Sequence, residues 1–307
     1  MQTDAANIQY TNLPEELEAA LQWLDRLGIA YSTSRFAYYK KTLNDVEAER
    51  VAGTNLYVVA ERLNAFVPIF EANEVVTIHQ GLAGKGLDAY LSSKLHELVS
   101  GPESYVDEKP KAGSNKARNT GFELSVIANL AQAGLTIEQE GGLADVVARL
   151  GGATVIVECK RPQSEARMER AICDARDQLV TRYKSRRKIR PHTTGIIALD
   201  LTKVINPTLS LAINELDGAM TSRIGQAIES LNNDCCRFFD RIRDQRTAGV
   251  LYRYSEITWN GVRKTISWNS KYNVRPITTR SSVRVEVVRS IQKALNRVAL
   301  SEGTPLV

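Results

Sequence analysis

Two apolar runs, ADVVARL (144–150) and ATVIVEC (153–159), flank the pair Gly151-Gly152. Glycines between β-branched runs signal a two-residue hairpin turn, because glycine adopts the backbone conformations such a turn needs. This hairpin constrains the chain more than any other feature, since its register follows by counting. Leu150 pairs with Ala153, and counting outward sets Asp145 opposite Glu158. Opposed residues in an antiparallel pair stand with Cβ atoms about 5 Å apart, so the two carboxylates share a face and repel. Such repulsion raises a pKa or weakens the sheet unless a cation lies between them. The two-residue period puts Lys160 on the side of Glu158, and Val155, Val157 and Cys159 on the other. Val147 and Arg149 share the face of Asp145.

The flanking pattern predicts helix and sheet around the hairpin. RNTGFELSVIANLAQAG (118–134) reads as a helix stopping at Gly134, LTIEQE (135–140) as a short strand, and SEARMERAICDARDQLVTRYKSRR (164–187) as a long helix after Pro162. TTGIIALDL (193–201) is apolar enough for a central strand. Helix, three strands, helix and strand imply a mixed sheet with helices packed on it.

Upstream, PEELEAALQWLDRLG (14–28) predicts a helix with Pro14 near its start and Gly28 at its end. A helical or mixed region follows to about residue 100, including LDAYLSSKLHELVSG (87–101). GPESYVDEKPKAGSNK (101–116) has no period and reads as a linker or long loop. Downstream, residues 222–244 predict a helix, while VLYRYSEITW (250–259) and RKTISW (263–268) predict strands. SVRVEVV (282–288) fits a strand or the start of a helix running into RSIQKALNRVAL. Three segments are expected: a mainly helical accessory or regulatory region over 1–112, a core over 117–202, and an α+β extension over 203–307, a possible nucleic-acid-binding or dimerisation element.

Glu123 adds a third carboxylate. Ile127 and Leu130 lie four and seven residues after it, so it shares a helical stripe that should face the sheet. Burying a carboxylate without a partner is costly. Pointing over the hairpin toward a cation relieves that cost; lying at the stripe's edge or pairing with an arginine does so equally. Two carboxylates and a strand carbonyl, that of Cys159, suit a hard divalent ion, and a nearby ammonium stabilises a negatively charged transition state. Phosphodiester hydrolysis uses this combination. Solvated charges on a surface hairpin remain the plainer alternative.

Other metal chemistries lack their patterns. Cys159, Cys173, Cys235 and Cys236 form no CxxC pair, and the three histidines are scattered without an HExxH. No apolar run is long enough to cross a bilayer, and the first twenty residues lack a secretory pattern, so a cytoplasmic protein without a membrane partner is expected. Charge is uneven along the chain. Residues 1–50 hold eight acidic and five basic side chains, residues 161–190 hold four and ten, and residues 246–307 hold three and eleven. Basic charge concentrated after the hairpin and near the C-terminus suits a polyanionic partner.

In this ordered combination, residues 117–202 resemble the PD-(D/E)xK nuclease superfamily. The resemblance implies an α/β fold with a restriction-endonuclease-like αβββαβ core and a mixed sheet. Glu123 resembles the family's helix glutamate, Asp145 its metal-binding aspartate, and Glu158-Cys159-Lys160 its ExK triplet. Gln178 is similar to a glutamine that the following helix often adds. Ala144 replaces the name-giving proline, and four residues rather than three separate Gln178 from Tyr183, which departs from the QxxxY pattern of one branch. The resemblance implies a DNA endonuclease using Mg2+, with Mn2+ substituting, in restriction, phage defence or repair. An RNase, or a nucleic-acid-binding protein on an inactive nuclease fold, remains an alternative.

RYKSRRKIR (182–190) carries six basic residues, suited to a phosphate backbone or to a helix C-terminus. The expected backbone contacts are Arg161, Arg167, Arg170, Arg182, Lys184, Arg186, Arg187, Lys188 and Arg190. Arg253, Arg263, Lys264, Arg275 and Arg280, interleaved with Tyr252, Trp259, Trp268 and Tyr272, extend a basic surface or, equally, line a core. A homodimer cutting both strands, a nicking monomer and a chain awaiting an activator are all compatible with the sequence.

Overall fold

A computed structural model describes residues 6–103, 105, 108, 115–139, 144–185, 192–214, 225, 226, 228–230, 233, 238, 239, 246–277 and 282–302. The fold is mixed α/β, with a helical N-terminal region and a β-rich, partly helical C-terminal region built on one sheet.

After β1 (Ala6–Gln9), helices α1 (Leu13–Arg26), α2 (Arg35–Val51), α3 (Leu56–Arg62), α4 (Phe66–Leu82) and α5 (Asp88–Leu98) form the N-terminal region. Pro14 lies in the first turn of α1, where its missing N–H costs nothing. Ser34 and Asn55 cap α2 and α3 by accepting hydrogen bonds from Phe36 N and from Tyr57 N and Val58 N. The central segment runs α6 (Lys116–Gln132), β2 (Thr136–Ile137), β3 (Val146–Leu150), β4 (Ala153–Lys160), α7 (Met168–Ser185) and β5 (Thr193–Asp200). Then follow a short α8 (Thr202–Ile205), β6 (Ala212–Asn214), the long hairpin β7 (Thr247–Asn260) and β8 (Thr265–Pro276), and α9 (Val283–Glu302).

Strand order is β1-β8-β7-β5-β4-β3-β2, with β6 added on β7. β4, β5 and β7 run parallel, as does β6 on β7, and the other pairings are antiparallel. Every residue of β5 is buried, as its apolar sequence predicts for a central strand covered on both faces. Alternation divides the core accordingly. Val155, Val157 and Cys159 join one cluster with the N-terminal helices, α6 and α9, while Ile156, Ile197 and Leu199 join a second with α7.

Two expectations gain detail here. The strand read over 263–268 continues to Pro276 as β8, and SVRVEVV is the start of a helix, with Val285, Val288, Ile291 and Leu295 buried at helical spacing. The three expected segments share this sheet: β1 near the N-terminus closes its edge on β8, and one core cluster takes in side chains from Tyr10 to Leu295. Of the helix expected over 222–244, the described residues Gly225, Gln226, Ile228, Glu229, Ser230, Asn233, Phe238 and Phe239 are helical. The linker expected at 101–116 lies largely outside the described residues.

A close approach fixes α6 over the sheet. A Cβ on Gly81 would stand 2.5 Å from the Ala128 Cβ, so only glycine lets α4 touch α6 there. Glu123 is carried on this clamped helix.

Candidate active site

The hairpin has the counted register. Leu150 pairs with Ala153 and Val146 with Val157, and Gly151 takes φ 57° at the turn. Asp145 lies at a bend just before β3 and opposite Glu158 by continuation of that register. Its Oδ2 accepts a hydrogen bond from Cys159 N at 2.7 Å, which fixes the carboxylate at the end of β4.

A cleft of about 810 Å³ opens beside this strand end, and Glu123, Asp145, Cys159 and Lys160 line it together with the basic residues Arg167 and Arg170. Glu123 and Asp145 therefore reach one space from different elements. Lys160 Nζ donates to Gln178 Oε1 on α7 at 2.5 Å. Glu158 is 1% exposed and accepts from Arg182 Nε at 3.0 Å. Tyr183 turns into the core, its hydroxyl 3.2 Å from Thr247 Oγ1 and far from catalytic use.

The electrostatics are those of crowded carboxylates. Burial, reinforced by the Asp145 charge and by a hydrogen bond to that carboxylate, pushes the Glu158 carboxyl up to about 8, against the pull of Arg182 and Lys160. Burial and Asp145 likewise push Glu123 up, opposed by Lys94 and Lys160. The Cys159 thiol, buried next to these charges, is raised well above its usual value and faces the core as an inert group.

Lys94 on α5 is the residue that reading the sequence missed. It pairs with Glu123, and the carboxylate holds its ammonium above the usual range although burial alone would lower it. Its signal was present: Lys94 lies three residues after Leu91 and four before Leu98, both buried, so it edges an apolar stripe that must dock on something.

The expected backbone contacts divide. Arg167, Arg170 and Lys184 are exposed, with Arg170 3.7 Å from Asp174. Arg182 is engaged by Glu158. Arg161 lines the cleft but its side chain is 5% exposed and is bound by Glu108 and Asp200, so its charge is spent inside the protein. Arg186, Arg187, Lys188 and Arg190 lie outside the described residues, as does Arg280. Farther away, Tyr252 and Trp268 are buried and Trp259 packs on Tyr57, leaving the aromatics of β7 and β8 to the core rather than to stacked bases. Arg253 is buried on Glu74, whereas Arg263 and Lys264 are exposed at the hairpin tip.

Among the described residues, no three His, Cys, Asp or Glu side chains are grouped to hold a metal ion. The donor chemistry nevertheless fits a hard cation. The candidate ligands are oxygens, as a hard cation prefers, with Glu123 and Asp145 lining the cleft and Glu158 buried beside it against Arg182. No helix among the described residues is long and apolar enough to cross a membrane. No family model, no curated protein and no solved structure matches the chain.

Proposed function

We propose that the chain is a divalent-metal-dependent nuclease that hydrolyses phosphodiester bonds, with DNA as substrate. The observation that carries this reading is the shared cleft of Glu123, Asp145 and Lys160, at the end of a hairpin whose register brings Asp145 against Glu158. The order α6-β2-β3-β4-α7-β5 supports the finer reading of this region as a restriction-endonuclease-like core.

Asp145, Glu158, Glu123 and the Cys159 carbonyl are the proposed ligands of Mg2+, with Mn2+ as substitute. Bound there, the ion supplies a Lewis acid for a phosphate oxygen and acidifies a water. The chain's own groups do the rest. Cys159 N–H orients Asp145. Lys160, held by Gln178, offers its ammonium to negative charge developing at phosphorus. Arg167 and Arg170 on the cleft wall position the substrate backbone without reading bases. Restriction, phage defence or repair is the proposed setting.

A second reading has its own support. Lys94 and Arg182 already answer two of the three carboxylates, as in a nucleic-acid-binding protein that keeps such a fold without catalysis. Incubating wild type and Glu158→Ala with supercoiled, linear and single-stranded DNA and a structured RNA, in Mg2+, Mn2+ or EDTA, separates the readings. The expected result is cleavage by the wild type alone, abolished by EDTA. RNA cut in preference to DNA reassigns the enzyme as an RNase, and nucleic acid bound equally by both proteins but cut by neither supports the binding protein.

A further inference from the structure

A second cleft, of about 590 Å³, lies between β8 and α9 and shares no lining residue with the first. Lys271 and Arg275 contribute from β8, and Arg289, Gln292 and Lys293 from α9. Its origin is visible in the sheet. The described part of β1 ends with Ala6 opposite Ser270, and beyond that point α9 lies along the edge of β8. There the Gln292 side chain accepts from Val274 N and donates to Asn296, so a side-chain amide answers a backbone N–H of the strand.

Among the described residues, Lys271, Arg275, Arg289 and Lys293 line the cleft together with Glu229. Lys271 is only 3% exposed, and its Nζ lies beside Gly225 on the cleft wall. Glu229 binds Arg275 and Glu286 binds Arg289, in both cases with the side chains at least 31% exposed. Exposed pairs of this kind are worth little, so either guanidinium can exchange a carboxylate for a stronger anion at small cost. Among the described lining residues there is no aromatic ring, and Val274 and Pro276 are apolar. A ligand held here is recognised by charge and hydrogen bonds rather than by base stacking.

We propose that this cleft binds the phosphates of a polyanion, either a nucleic-acid backbone or a free polyphosphate. The inference goes beyond the nuclease reading and stands without it, because a catalytically inactive chain carries the same cleft.

The test uses the full chain in EDTA, where cleavage plays no part. Binding of a fluorescein-labelled oligothymidylate is measured by anisotropy, and binding of sodium tripolyphosphate by calorimetry. The proteins compared are wild type, Arg289→Glu with Lys293→Glu, Glu158→Ala, and a control with Lys41→Glu and Lys85→Glu, which makes the same charge change on exposed residues outside the cleft. The expected result is binding weakened about tenfold or more by the α9 pair and less than twofold by the control. Weakened oligonucleotide binding names a nucleic-acid backbone as the ligand; weakening for tripolyphosphate alone names a free polyphosphate. Equal weakening by the control pair, loss confined to Glu158→Ala, or no binding of either probe by the wild type overturns the proposal. Circular dichroism of each variant confirms that the fold is retained.

Discussion

Two groups of charged side chains in this molecule behave in opposite ways. In the first, Glu71 of α4 sits between Arg35 of α2 and Arg118 of α6, all with side chains at most 3% exposed. Burial would raise the Glu71 carboxyl, but the two arginines outweigh it and hold it below its usual value. In the second, burial and the charge of Asp145 raise both Glu123 and Glu158. The first cluster is closed, with one carboxylate shared by two guanidiniums; it ties three helices together. The second is acidic, borders a cleft and has repulsion left over. In the proposed nuclease, a divalent cation would complete the second set.

The contrast breaks most readily at Glu71. Replacing it by Gln leaves two buried guanidinium groups facing each other, and the expected loss is about 3–5 kcal/mol, read from urea denaturation followed by circular dichroism. A loss under about 1 kcal/mol would show that the cluster is not the tie described here. The opposite result is expected at Asp145. Asp145→Asn, measured in EDTA, removes repulsion while its amide oxygen still accepts from Cys159 N, so stability should stay within about 1 kcal/mol of wild type while any metal-dependent cleavage is lost.

The pH dependence sharpens the same comparison with smaller effects. The folded pKa of Glu71 lies below its ordinary 4.5, so its contribution to stability is present above 4.5 and is lost as pH falls through the lower, folded value. Glu158 has the reverse sign. Its pKa rises from 4.5 to about 8 on folding, so its contribution is full below 4.5 and is lost as pH rises through about 8. Melting temperatures in EDTA across pH 4 to 9 should therefore decline above 4.5 in the wild type and decline less in Glu158→Gln. Parallel curves for the two proteins would remove Glu158 as the source.

The hairpin and its surroundings were legible because their signals are local. A glycine pair fixes a turn, the turn fixes a register, and the register sets Asp145 against Glu158 without reference to the rest of the chain. Helix ends were legible for the same reason: Gly134, at φ 86°, ends the α6 turn as its place in the sequence predicts. Less legible was the identity of partners. Arg161 and Lys94 look alike as exposed cations in a sequence, yet one is buried on Glu108 and Asp200 and the other pairs with the helix glutamate of the site. Those pairings join residues 29 to 53 positions apart, beyond the reach of any local pattern.

By itself, then, the sequence determined the αβββαβ order, the hairpin register and the gathering of acidic and basic residues at one strand end, since each follows from backbone periodicity and turn chemistry over a few residues. Tertiary structure decided which charges are neutralised and which face a cleft. It also decided that β1 joins β8, and that β8 and α9 line a second cleft with basic side chains. The physical reason is that burial and Coulomb interactions depend on distance in space, and only the packed chain sets those distances.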